Sequence, residues 1–264
     1  MDIKRALKQV IPDTLIDILR SAGVAKRLGL LLPWLMTFRH AGRKARLGSD
    51  YGGWIIPRNR LTAQSVCYCV GCGEDISFDL ELIRQYSCCV YGFDPTPRSV
   101  EFVRRATVGI PSYRFADVGI WDRDGTVKFF APRDHTHVSH SITNLQGTDS
   151  YIEVPTRRLR EVLRENGHSR LTLLKLDIEG AENTVIRTIL EDAISIDILL
   201  IEFDELAFPT PERIAQIQRS IRALLDNGYR LFNISRSNFT FVHSMSGLSL
   251  EAGTQPSGVA FGRL

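Results

Sequence analysis

Carboxylates set beside glycines at two points of the chain are the residues best suited to chemistry. Leu173-Leu174-Lys175-Leu176-Asp177-Ile178-Glu179-Gly180-Ala181-Glu182 reads as an apolar strand ending in two acids. It turns at Gly180 and enters a helix with apolar positions Val185, Ile186, Ile189 and Leu190. Acids at the C-terminal end of a buried strand stand where open α/β sheets bind their ligands. The arrangement occurs earlier too, where Ser65 to Val70 runs into Gly71-Cys72-Gly73-Glu74-Asp75 and another helix. Two such junctions in one sheet imply a cofactor at one and a reacting group at the other.

The glycine junction limits which cofactor fits. Gly71-Cys72-Gly73 brings backbone close to a ligand at a helix N-terminus. A nicotinamide fingerprint needs a third glycine, and Ile76 stands at that position. Glu74 and Asp75 would repel a pyrophosphate. S-adenosylmethionine has no phosphate, and its ammonium and sulfonium are attracted by carboxylates. Asp94, ending the next strand, is placed to accept both ribose hydroxyls. Asp117 and Val118, after a third strand, fall where an adenine would be met. The predicted cofactor-binding set is Gly71, Cys72, Gly73, Glu74, Asp75, Asp94, Asp117 and Val118.

At the second junction Asp177 and Glu179 are the candidate catalytic acids, with Ile178 pointing away by strand alternation. Paired carboxylates raise one another's pKa, which suits a base. The loop Asp134-His135-Thr136-His137-Val138-Ser139-His140-Ser141 adds His140, then His137, as further candidates. Glu202, closing the apolar run Ile198 to Ile201, is another pocket candidate. No metal is assigned: Cys67, Cys69 and Cys72 read as small apolar residues of a buried strand and its turn.

These residues need a sheet to hold them. From residue 65 strands and helices alternate, the pattern of a parallel sheet covered on both faces. Asp124-Gly125 signals a hairpin leading to an edge strand, Thr126 to Phe130. Residues 131–149 form the longest loop, and loops of such length are usually functional. Tyr151 to Val154 resumes the alternation, and Thr210-Pro211 begins a helix. Tyr229 to Ser235 and Phe239 to His243 read as a final hairpin. Residues 1–50 read as a basic helical extension, 51–243 as the catalytic domain and 244–264 as a tail.

Composition narrows the class further. A length of 264 residues fits one α/β domain with extensions. All five cysteines lie between 67 and 89, unlike a disulfide framework, so a reducing, cytoplasmic setting is expected. Residues 1–60 hold twelve Lys/Arg against four Asp/Glu, a net of +8, and the remainder carries −5. The basic front end suits a membrane or another anionic surface. It lacks the interleaved aromatics expected for nucleic acid.

Three segments together resemble the FkbM-type S-adenosylmethionine-dependent methyltransferases. They are Val70-Gly71-Cys72-Gly73-Glu74-Asp75-Ile76-Ser77-Phe78-Asp79, Gly92-Phe93-Asp94-Pro95 and Lys175-Leu176-Asp177-Ile178-Glu179-Gly180-Ala181-Glu182. Val154-Pro155-Thr156-Arg157-Arg158-Leu159 resembles the stretch that precedes the last of these. The resemblance spans roughly residues 51–243. It implies the class I methyltransferase (Rossmann-like) fold, a seven-stranded, mostly parallel sheet with its C-terminal strand antiparallel. It also implies O-methylation of a hydroxyl on a sugar, glycan or natural product. One departure stands out: many class I enzymes place an acid two residues before the first glycine, and Cys69 is there. Glu74 or Asp75 is expected to take over the ammonium contact. The competing readings are a nicotinamide-dependent oxidoreductase and a non-catalytic Rossmann-like binding module.

Overall fold

The computed structural model describes residues 13–131, 142 and 147–244. Helices α1 (Asp13–Arg27) and α2 (Leu31–Met36) and a 3-10 turn (Thr37–Arg43) lead into strands β1 (Lys44–Leu47) and β2 (Trp54–Pro57). The alternating body follows as β3 (Val66–Val70), α3 (Ser77–Tyr86), β4 (Cys89–Phe93), α4 (Pro97–Ala106) and β5 (Tyr113–Ala116). A smaller group contains β6 (Gly119–Trp121), β7 (Gly125–Phe130) and β8 (Tyr151–Arg158). Then come α5 (Leu159–Glu165), β9 (Arg170–Leu176), α6 (Glu182–Glu191), β10 (Ser195–Glu202), α7 (Pro211–Asp226), β11 (Tyr229–Ser235) and β12 (Asn238–His243).

Seven strands form the central sheet in the order β11-β12-β10-β9-β3-β4-β5. The pairs from β10 through β9, β3 and β4 to β5 are parallel, and β12 is antiparallel to both its neighbours. This is the class I methyltransferase sheet, with the expected antiparallel last strand. Chain order runs outward from β3 to β4 and β5 on one side and from β9 to β10 on the other. The switch point therefore lies between β3 and β9, where open α/β sheets bind ligands.

Strand alternation divides the core between the two faces. Tyr68 and Val70 join one cluster with Leu174, Leu176, Leu199 and Ile201. Cys67 and Cys69 join the other with Leu173, Ile198 and Leu200. All five cysteines are free thiols, and only Cys89 is exposed. The helix over Pro211–Asp226 starts as its sequence indicates: Pro211 occupies the first turn and the Thr210 hydroxyl accepts from the Arg213 N–H at 3.3 Å. No helix of the described residues is long and apolar enough to cross a membrane.

Two elements differ from the sequence reading. Lys44–Leu47, expected in the helical front end, pairs antiparallel with Trp54–Pro57. Leu47 and Trp54 are paired and both buried, so their packing outweighs the local pattern. The strand from Tyr151 runs on to Arg158 rather than stopping near Val154. It gains two partners, β6 in parallel and β7 antiparallel, which make a separate three-stranded sheet.

The turn after β3 is fixed by contact at Gly71. Its φ is +83°, and a Cβ there would lie 1.7 Å from the Asp177 carbonyl oxygen. Backbone cannot retreat from backbone at that distance, and a left-handed φ already disfavours a side chain. Gly71→Ala should therefore destabilise the fold by about 3 kcal/mol or more, read from urea or thermal unfolding. An unfolding midpoint equal to wild type would refute the interlock.

Candidate active site

A cavity of about 580 Å³ opens at the switch point, a size typical of small-molecule sites. Its lining comes from both junctions: Gly71 to Asp75 after β3, and Lys175 with Asp177 to Glu179 at the end of β9. Phe93 to Thr96, Gly119 to Trp121 and Phe129 add a largely apolar wall. Among the described lining residues, Glu74, Asp75, Asp94, Asp177 and Glu179 face a single basic side chain, Lys175.

Lys175 ties the two junctions together. It is paired across the sheet with Cys69 and is 5% exposed. Its ammonium donates to the Gly71 carbonyl at 2.7 Å and pairs with Asp177 at 3.0 Å. Burial pulls its pKa down, but Asp177 and Asp79 outweigh that and hold the ammonium charged. Asp79 is itself buried and accepts a 2.8 Å bond from the Tyr113 hydroxyl. Desolvation raises the Asp79 pKa, opposed mainly by Lys175.

Asp94 shapes the glycine turn. One oxygen accepts the Cys72 and Gly73 N–H groups, each at 3.0 Å. The other accepts the Thr96 N–H at 2.9 Å and the Thr96 hydroxyl at 2.6 Å. Those four bonds use the acceptor positions a carboxylate offers. The acid predicted to hold ribose hydroxyls borders the cavity and also holds the glycine loop, because the turn leaves two N–H donors pointing at it.

The family model described as Methyltransferase FkbM domain matches residues 64–231. The chain belongs to this family. It is an S-adenosylmethionine-dependent methyltransferase. A search of the curated proteins finds no match to the sequence. Similar solved structures include Aeropyrum pernix fibrillarin in complex with natively bound S-adenosyl-L-methionine, at 11% identity and TM-score 0.41, covering 70% of this chain and 68% of that one. Another is monomeric WbdD, at 14% identity and TM-score 0.41, with coverage of 83% and 41%. A third is the SAH-bound Podospora anserina methyltransferase PaMTH1, at 11% identity and TM-score 0.40, with coverage of 88% of each chain.

The cavity of this FkbM methyltransferase suits such a donor. It combines a close-approach glycine turn, apolar walls for a base and an excess of carboxylates for a cation. The same excess is unsuited to a pyrophosphate, which speaks against a nicotinamide dinucleotide.

Glu74 and Asp75, the expected replacements for an acid at position 69, both border the cavity, and each already has partners in the protein. Glu74 is ion-paired with Arg98 at 2.7 Å on the surface. Asp75 accepts from the Ser49 hydroxyl and, at 2.9 Å, from the Ser77 N–H. Burial raises its pKa, but bonds from Ser49, Ser77 and Gly52 outweigh that and lower it. Asp75 thus joins the loop after β1 to the start of α3. Asp117 and Val118 do not line the cavity. Asp117 pairs with Arg104 at 2.9 Å on an exposed surface, and Val118 packs on the core. The chain turns after Ala116, so Gly119 and Ile120 provide that wall instead.

Asp177 and Glu179 both reach the cavity as expected, and so does Ile178, which alternation had turned away. The strand ends at Leu176, and Glu179 has a left-handed φ of +55°, so period-two geometry no longer applies. His137 and His140 lie outside the described residues. Trp54 is core, with the Lys175 ammonium 6.0 Å from its ring.

A second tier of acids stands behind these. Glu202 ends β10 and accepts from the Ser237 hydroxyl at 2.7 Å. Burial, then Asp177, pushes its pKa up to about 7. Glu182 is fully buried and accepts the Ile178 N–H at 2.8 Å, closing the Asp-Ile-Glu-Gly turn. Its pKa is raised by burial and then by Glu205. This tertiary bond could be foreseen only from the place of Glu182 at the turn.

Asp94→Asn removes the charge that gathers the glycine turn. Calorimetric titration with S-adenosylhomocysteine should show affinity at least tenfold weaker than wild type. Glu74→Gln, which loses an exposed ion pair, should stay within about twofold. Equal effects would contradict the roles drawn here.

Proposed function

We propose that this enzyme moves a methyl group to a hydroxyl oxygen of a sugar, glycan or small natural product. The observation that carries the reading is the pair of carboxylates Asp177 and Glu179 lining the cavity after β9, with Glu202 at the end of β10 behind them, where burial and then Asp177 push its pKa up to about 7. An alcohol is a poor nucleophile at neutral pH, and a base with a pKa near the working pH suits its activation.

S-adenosylmethionine supplies a methyl group already activated on a sulfonium. The chain then has to align an oxygen, exclude water and take up a proton. Gly71 to Gly73, fixed by Asp94, would seat the donor under the apolar wall of Phe93, Ile120 and Trp121. Asp177, anchored by Lys175, and Glu179 would meet the acceptor hydroxyl. Glu202 is the group we assign to receive the proton. Neutral, hydroxyl-rich acceptors suit this acid-lined cavity, whereas polyanionic ones would be repelled.

The pH dependence has a definite sign. Below about 7 Glu202 is protonated in the folded protein and unable to act as a base. Its folded pKa lies above the 4.5 of an unperturbed glutamate, so the folded state binds the extra proton between these values. Its contribution to stability is complete below 4.5 and declines as pH rises to about 7. With labelled methyl donor and a panel of sugars, polyols and hydroxylated natural products, kcat should rise about tenfold per pH unit below 7 and then level off. Glu202→Gln should lower kcat about 100-fold or more and remove the acid limb. An unchanged acid limb in Glu202→Gln would reject this base, and methylation confined to amines or carbons would reject the O-methyl reading.

A further inference from the structure

The amino-terminal helices bury one side and leave the other apolar. Ala25, Leu28, Leu30 and Trp34 are buried in the main core cluster. Across α2, Leu32 is 70% exposed, and Leu31, Leu35 and Met36 are exposed with it, followed by Phe38. Seven of the eleven large hydrophobic residues exposed among the described ones fall between Ile18 and Phe38. Isolated exposed apolar residues are ordinary, but a concentration of them on one short segment marks a contact surface.

Charge identifies the kind of contact. From Ile18 to Ser49 there is no Asp or Glu, while Lys and Arg occur seven times. Lys26, Arg27, Arg39 and Arg43, on either side of α2, are all exposed. We infer that this face of α1, α2 and the following 3-10 turn docks on an anionic lipid bilayer. The leucines enter the headgroup and acyl boundary, and the Lys and Arg side chains lie at the level of the lipid phosphates. A second copy of the chain is a poor occupant, since a two-fold contact would set the basic face against itself. The face is fixed to the domain, because Ala25, Leu28, Leu30 and Trp34 on the other side are packed in its main core.

The test uses the full chain and co-sedimentation with phosphatidylcholine vesicles prepared with and without phosphatidylglycerol. Binding should be at least tenfold tighter with the anionic lipid and should weaken with salt. Leu32→Glu combined with Leu35→Glu should weaken it tenfold or more. Arg39→Gln combined with Arg43→Gln should cost roughly fivefold per charge removed. S-adenosylhomocysteine affinity should stay at the wild-type value in both variants, showing that the domain is folded. Leu32→Ser, at the most exposed position, gives the same reading if the double leucine variant does not fold. The inference is overturned if wild type ignores anionic vesicles or if the leucine variants bind them as well as wild type. It is equally overturned if wild type sediments as a dimer that Leu32→Glu with Leu35→Glu dissociates.

Discussion

The Lys175 ammonium holds the active end of this molecule together. A charge buried in a sheet is tolerated only when its partners are close and well aimed. Here they are the Gly71 carbonyl and the Asp177 carboxylate, one from each strand-to-helix junction. Asp79, on the same side and bonded to Tyr113, completes the balance. The backbone contact of Gly71 with Asp177 locks the same two loops from the other direction. The two strand-to-helix junctions are therefore parts of one unit.

With that unit in place, the acids take separate tasks. Asp94 and Asp75 are internal fasteners that satisfy backbone N–H groups and hydroxyls of tight turns. Asp177 and Glu179 remain at the cavity surface. Glu182 and Glu202 lie deeper, where desolvation favours their protonated forms. Residues of one chemical type thus differ in role through depth and bonding partner alone.

The order of strands and helices was readable because it rests on local signals: a short apolar run ending at the Gly71 turn, a Thr-Pro helix start at 210 and a final pair of strands. So was the general position of the site, since glycine turns and acids mark strand ends. The specific partners were not. Nothing near Glu74 in the sequence announces Arg98, and nothing near Asp75 announces Ser49, because both contacts cross the fold. Lys175 passed as one polar residue in an apolar run, although such a residue at a buried strand position is itself a sign of a network. The strand at Lys44–Leu47 was hidden because its pairing depends on Trp54 beyond an intervening turn.

The surplus of carboxylates around the cavity has a consequence for turnover. Methyl transfer converts a sulfonium into a neutral thioether, so the spent donor carries one positive charge fewer than the fresh one. A negative field that gathers the first holds the second less firmly, by an amount that grows as water is excluded. Discharge of the by-product would thus be favoured by the same acids that line the cavity and would draw in its precursor.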